Sequence, residues 1–229
     1  MKGVRRLKRL ALWLLCVCLL CVPVRAGENE KLVALTFDDG PSGRFTRRLL
    51  DGLEERGVQA TFLLCGYRME QYPELAERIY RQGHEIGIHG YSHRSMGKMS
   101  SGDVIREIDR TVNLLPEGCR VFFLRPPGGA CGKYVLKAAE ERGLGVLSWS
   151  VDPRDWATHD SKAIEKAVVS HVRDGDVILL HDMSDSSVDA ALVIIDELQE
   201  QGFRFVTVSA LAEEREIPIE PGAEYTRFP

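Results

Sequence analysis

Two adjacent carboxylates, Asp38 and Asp39, close an apolar, β-branched and aromatic run that begins at Leu32. The run is long enough for one strand and too short for a helix, and Gly40-Pro41 forces a turn at its end. The two acids therefore belong at the carboxyl end of a buried strand, where α/β folds collect their chemistry. Successive strand residues point opposite ways, so the pair can serve two different tasks. A plainer reading of Asp-Asp-Gly-Pro is a turn, with Ser42 capping the helix that follows. The downstream residues tip the balance.

His89 and His93 stand four apart in His-Gly-Tyr-Ser-His. On a helix that spacing puts both imidazoles on one face. Gly87 and Gly90 argue instead for a strand running into a turn, where a curled backbone also brings the rings together. Two histidines and one carboxylate suit Zn²⁺ or another divalent ion, with positions left open for water. Alone, the pair reads as solvated loop histidines; with Asp38-Asp39 on an adjacent strand end, the metal set is the stronger reading. Arg125 ends another apolar run and precedes Pro126-Pro127-Gly128-Gly129. A cation there orients a nearby carboxylate, and backbone N–H groups freed by Gly128 and Gly129 can face a developing oxyanion. The alternative is a surface arginine beside a proline turn. Asp152, Asp155 and Trp156 follow a fifth strand; the indole is a platform for the apolar face of a sugar ring, with core filling and turn capping as the plainer readings. His181 ends Leu179-Leu180-His181 and suits general acid work near neutral pH, or else is a satisfied core histidine. His84, His159 and His171 read as structural or surface residues, and Cys131 as buried filler.

The elements that must position these groups alternate regularly. Strands are expected at 32–38, 60–65, 85–89, 121–125, 145–151, 177–180 and 203–208, and helices at 44–56, 73–81, 101–115, 133–142, 161–172 and 188–201. Alternation at this spacing means parallel strands joined by right-handed crossovers. Seven units in about 180 residues are compact for a closed eight-fold barrel, which leaves a smaller, distorted barrel or an open sheet. Either gathers the strand ends, and so the candidate residues, on one rim. The segment 213–229 is polar and expected to pack loosely.

The chain has 229 residues, enough for one ordinary domain. Lys2, Arg5, Arg6, Lys8 and Arg9 precede an unbroken apolar run from Leu10 to Val22, and Val24-Arg25-Ala26 offers small residues at the positions a signal peptidase reads. Residues 1–26 are therefore expected to be a secretory signal, touching a membrane only if uncleaved. Without them, 24 Lys and Arg face 34 Asp and Glu, a formal charge of −10. Nucleic acid and anionic surfaces are poor partners for such a chain. Cys65, Cys119 and Cys131 remain, so at least one thiol is free and the fold rests on its core rather than on disulfides.

Taken in order, these pieces resemble the polysaccharide deacetylase family with its NodB-homology domain. Thr36-Phe37-Asp38-Asp39-Gly40 is similar to the first family motif and His89 to His93 to the second. Arg125-Pro126-Pro127-Gly128-Gly129 is similar to the third, Asp152-Pro153-Arg154-Asp155-Trp156 to the fourth and Leu179-Leu180-His181 to the fifth. The resemblance implies a distorted (β/α)₇ barrel over residues 27–212 and metal-dependent hydrolysis of an acetyl group. It implies Asp39, His89 and His93 as metal ligands, Asp38 as general base, His181 as general acid, and Arg125 as the group that positions Asp38. Asp155 would support Arg125 or His181, Gly128 would offer its N–H to the oxyanion, and Trp156 and Leu179 would wall the acetyl pocket. The metal implied is Zn²⁺, with Co²⁺ or another divalent ion as alternatives. The substrate implied is a cell-wall or chitin-like glycan, peptidoglycan or chito-oligosaccharide, attacked by an exported monomer. An O-acetyl esterase on a xylan-type polymer and a catalytically inactive carbohydrate-binding relic are the alternatives. Three positions depart from the pattern: Gly90 where Ser or Thr is usual, Arg94 where Pro is frequent, and Gly128 where an aromatic is common. They bear on groove shape rather than on the reaction.

Overall fold

The computed structural model describes residues 30–229; the expected signal segment lies outside the described residues. The longest strand, β1 (Lys31–Asp38), is buried from Leu32 onward, as a strand covered on both faces must be. Its alternation sorts two environments. Val33, Leu35 and Phe37 pack outward against helices α1 (Arg44–Glu55) and α7 (Asp185–Glu200), whereas Leu32 and Ala34 face an inner core with Leu63, Phe123, Leu147 and Val177. Thr36 and Asp38 fall on that inner face, so the strand's own period carries Asp38 into the barrel.

Among the described residues, every pairing between named strands is parallel. β1 is flanked along one edge by β6 (Asp176–His181); on the other, β7 (Phe203–Val206) takes its first half and β2 (Thr61–Leu64) its second. The sheet continues through β3 (Glu85–Ile88), β4 (Phe123–Leu124) and β5 (Gly145–Leu147). The register sets Asp38 level with His181 on one side and Leu63 on the other. A short helix, α2 (Gly66–Gln71), follows β2 and is an element that sequence periodicity did not reveal. Helices α3 (Pro73–Arg81), α4 (Ser101–Val112), α5 (Lys133–Glu141) and α6 (Ser161–Val169) form the outer layer. The fold is the expected distorted (β/α)₇ barrel.

Several boundaries differ from expectation. The fourth and fifth strands are shorter than 121–125 and 145–151; beyond Leu147 only Val151 pairs again, bridging to Ile178. The last segment is not loosely packed. Residues 208–214 form a helix, α8 (Val208–Glu214), and β8 (Glu224–Tyr225) adds to β5 in parallel. Phe228 is fully buried in the inner core, stacked on Tyr225 at 5.4 Å, and its N–H donates to Gly175 O at 2.8 Å. An antiparallel bridge between Arg227 and Asp176 completes the closure between β5 and β6. The tail reads as polar because its few apolar residues are isolated, yet Ile217, Ile219, Tyr225 and Phe228 all turn inward. Cys65, Cys119 and Cys131 are all free. No helix among the described residues is long and apolar enough to cross a membrane.

Candidate active site

At the carboxyl end of the barrel a cleft of about 440 Å³ is lined by Asp38, Asp39, His89, His93, Gly128, Trp149, Asp152, Trp156, Leu179 and His181. All the strand-end residues singled out from sequence meet here, except Arg125 and Asp155, which stand directly behind it. Three of the four non-glycine residues with positive φ among the described residues also belong to this rim: Asp39 (73°), His93 (57°) and Arg154 (57°). Left-handed backbone at such residues costs energy and concentrates where a site demands a particular aim. For Asp39 the reason is plain. Strand alternation would turn it away from Asp38's face, and its own left-handed φ brings it back to the rim.

Asp39, His89 and His93 each offer a ligand atom, and these atoms lie within 4.8 Å of one another. Asp39 Oδ1 is 2.8 Å from His93 Nε2 and 3.3 Å from His89 Nε2. That oxygen is buried, yet neither ring nitrogen makes a hydrogen bond to it. An orphaned carboxylate oxygen facing two imidazole nitrogens is the donor set a divalent cation satisfies. His89 is oriented for the task from behind: Nδ1–H donates to Arg125 O at 2.7 Å, which leaves Nε2 with its lone pair toward Asp39. Burial works to raise the Asp39 pKa, but the two imidazoles outweigh it and hold the carboxyl well below its usual range. His93 is raised, chiefly by the Asp39 carboxylate.

Asp38 sits beside this trio, with Oδ2 at 3.7 Å from His89 Nε2. Its Oδ1 accepts from Arg125 Nη1–H at 2.6 Å. Arg125 is fully buried and held by all three of its nitrogens: Nη1 also donates to Thr36 Oγ1 (2.8 Å), Nη2 to Ser148 O (2.9 Å) and Nε to Leu147 O (3.2 Å). A guanidinium held this way fixes one carboxylate oxygen and leaves the other to the cleft. The surface-arginine alternative is thereby excluded.

Opposite, His181 is held by Asp155, one carboxylate oxygen accepting the His181 backbone N–H (2.9 Å) and the other its Nδ1–H (2.8 Å). Asp155 thus serves His181 and makes no bond to Arg125. Burial disfavours the imidazolium, but the Asp155 bond and the nearby Asp38 and Asp39 charges prevail and raise the His181 pKa to about 9. A divalent cation on Asp39 would draw it back toward neutrality.

Leu179 and Trp156 wall the cleft, Trp156 with 61 % of its surface exposed and the Arg154 guanidinium 5.3 Å from its ring. Asp152 lines the cleft and also caps its own turn, accepting the Arg154 N–H at 2.8 Å. Gly128 lines the cleft with φ 67° and open space where a Cβ would be. Trp149 is the wall residue that sequence reasoning missed; its indole packs against Gly129 and 5.6 Å from the Arg125 guanidinium. Its position at the end of the fifth apolar run was the available signal. His84 and His171 lie elsewhere: His84 Nδ1 accepts the Ala60 N–H in the core, and His171 hydrogen-bonds within its own helix end.

The sequence matches the polysaccharide deacetylase family over residues 25–147, more than half of the chain. The chain belongs to that family. A peptidoglycan-N-acetylmuramic acid deacetylase of Bacillus subtilis, PdaC, is 37% identical over 187 residues, which span 81% of this chain and 39% of that protein. A peptidoglycan-N-acetylglucosamine deacetylase of Bacillus cereus is 37% identical over 80% of this chain and 89% of its own length. Among solved structures of the polysaccharide deacetylases and their kin, a family 4 acetyl xylan esterase from Clostridium thermocellum, in complex with a cobalt ion, superposes with a TM-score of 0.81. It is 33% identical, over 87% of this chain and all of that one.

Proposed function

We propose that this chain is an exported, metal-dependent N-deacetylase of a cell-wall or chitin-like glycan. One observation carries the reading: a buried, unpartnered Asp39 oxygen facing His89 and His93, flanked by an Arg125-held carboxylate and an Asp155-held imidazole. The donor set fits a divalent ion, Zn²⁺ first and Co²⁺ as an alternative, on Asp39, His89 and His93. When bound, it supplies a Lewis acid for the acetyl carbonyl and for the attacking water.

The chain's own groups do the rest. Asp38, its Oδ1 pinned by Arg125, takes the water's proton on Oδ2. His181, charged and oriented by Asp155, delivers a proton to the leaving nitrogen. The Gly129 N–H is taken by Pro126 O at 2.9 Å, so of the two glycines it is Gly128 whose N–H serves the developing oxyanion. Leu179 and the indoles of Trp149 and Trp156 receive the acetyl methyl and the sugar face, and exclude water around them.

The peptidoglycan deacetylases among the relatives support an N-acetyl substrate and extracytoplasmic action, as does the basic and apolar N-terminus. The esterase relative keeps O-acetyl xylan as the second reading, because a leaving alkoxide wants the same proton from His181. The test is acetate release from chito-oligosaccharides, peptidoglycan and acetylated xylan, with and without chelator and added Zn²⁺ or Co²⁺. Chelator-sensitive acetate from an N-acetylated glycan is expected. Acetate from xylan alone would favour the esterase, and no acetate from any of them, with no ion retained, would favour the carbohydrate-binding relic.

A further inference from the structure

The two histidines of the metal trio are joined by three residues, Gly90, Tyr91 and Ser92, whose backbone has unusual support. Gly90 O accepts from Gly66 N–H and Tyr91 O from Tyr67 N–H, both at 3.0 Å, at the start of α2. The N–H groups of the same two peptides point the other way, and both find one side chain. Glu107 Oε2 accepts from Tyr91 N–H at 2.9 Å and from Ser92 N–H at 2.7 Å. Ser92 Oγ–H adds a third bond to that carboxylate, 2.9 Å from Oε1 and 3.0 Å from Oε2. Two consecutive peptide planes are therefore gripped at both ends.

Glu107 lies in the middle of α4, only 6 % exposed. A carboxylate is not placed there for packing; burying one is costly unless it is well hydrogen-bonded. The same helix restrains Tyr91 a second time, since the Arg110 guanidinium lies 3.4 Å from its ring centroid, while the Tyr91 hydroxyl donates to Glu70 at 2.7 Å. The loop needs such restraint. Gly90 (φ 78°) and His93 (φ 57°) are both left-handed, a conformation that glycine leaves unbiased and histidine rarely chooses. Gly90 supplies no hydroxyl that could brace the turn from within.

We infer that Glu107 positions the His89–His93 loop for metal binding, acting from α4 as a hydrogen-bond clamp on the Tyr91 and Ser92 amides. This rests on Asp39, His89 and His93 being the metal ligands. Glu107 touches neither the ligand atoms nor the cleft, so it is a positioning residue. Its loss would free two amides and let His93 leave the geometry that sets its Nε2 beside Asp39.

The test is Co²⁺ titration of the purified chain and of Glu107→Ala, Glu107→Gln, Glu107→Asp and His93→Ala, followed by visible absorption and by competition with a chelator. Melting temperatures are recorded in parallel. For Glu107→Ala the expected result is a Co²⁺ affinity lower by roughly 10- to 100-fold, the usual cost of losing a group that orients a ligand, together with altered visible bands. Glu107→Gln keeps an acceptor oxygen for the amides and retains most of the affinity. A folded Glu107→Ala with wild-type affinity and spectrum would overturn the inference. Should Glu107→Ala fail to fold, Glu107→Asp, one methylene too short to reach both amides, decides in the same way. Collapse of both variants would assign Glu107 to stability and equally overturn it. His93→Ala separates the two readings: unchanged Co²⁺ binding in that variant would sink the ligand assignment itself, whereas its loss alongside an unaffected Glu107→Ala would sink the positioning role alone.

Discussion

At the scale of single residues, the site is a set of pairs, each proposed proton carrier held by a partner that does not face the cleft. Arg125 holds Asp38, and Asp155 holds His181. The second pair sets a pH dependence. Without a cation on Asp39, His181 is raised to about 9 against the opposition of burial. A divalent ion there draws the value toward neutrality, and the acidic form is lost as pH rises through that lowered value. Asp155→Asn keeps an acceptor for the His181 backbone N–H but removes the charge that favours the imidazolium. The basic limb of the kcat/KM profile should therefore move to lower pH, with activity at pH 8 down by about 10²-fold, the order of a general-acid contribution. An unmoved limb would take the acid role from His181. These carriers were legible in the sequence because each terminates an apolar run, Asp38 just before the Gly40-Pro41 breaker and His181 directly after Leu179-Leu180. The partner of Asp155 was not, since it depends on which strand end lies across the barrel. Trp149 and Glu107 were hidden for the same reason: Glu107 reads as one more charge on an amphipathic helix, and only the fold brings it to residues 91 and 92.

At the scale of elements, parallel strands carry the chemistry because their registers align it. Asp38 and His181 are register partners on β1 and β6, and Ile88 on β3 pairs with Leu124, which sets His89 beside Arg125. The start of β3 is fixed by a different histidine. His84 is buried, and its Nδ1 must stay unprotonated to accept the Ala60 N–H at 3.2 Å where β2 begins. Burial, aided by Arg78, lowers its pKa to about 4 from an ordinary 6.5. Between those values the unfolded chain binds the proton more readily, so stability is lost as pH falls from about 6.5 toward 4. The full span corresponds to at most about 3 kcal/mol. Urea unfolding at pH 7.5 and pH 5 should show this loss in the wild type. His84→Asn, which keeps an acceptor without titrating, should show a smaller one; an equal loss in both would remove His84 as the cause. The strand and helix alternation was readable from periodicity, whereas α2 was not, because six residues give too few turns for a pattern.

At the scale of the whole molecule, the barrel is closed by its own last residues. β5 leaves the sheet after Leu147, and the gap to β6 is spanned by the Val151–Ile178 bridge, by β8 and by Phe228 in the inner core. Gly175 permits this closure: a Cβ there would lie 2.1 Å from Phe228 O, and its φ is 80°. Phe228→Ala should cost about 3–5 kcal/mol, as for other buried phenylalanines, and lower the urea midpoint without changing the ligands of the cleft. A change below about 1 kcal/mol would mean that the tail merely covers the barrel. Composition concealed this role, since closure needs only a few apolar residues spaced through a polar segment.

The central claim joins the metal trio to the neighbouring base in one site, and a single paired measurement reaches it. Bound Co²⁺ or Zn²⁺ per chain and acetate released from chito-oligosaccharide or peptidoglycan would be determined together for wild type, Asp38→Asn and His93→Ala. The expected result is one ion and no turnover for Asp38→Asn, and neither ion nor turnover for His93→Ala. Full metal content in His93→Ala, or wild-type turnover in Asp38→Asn, would contradict the account.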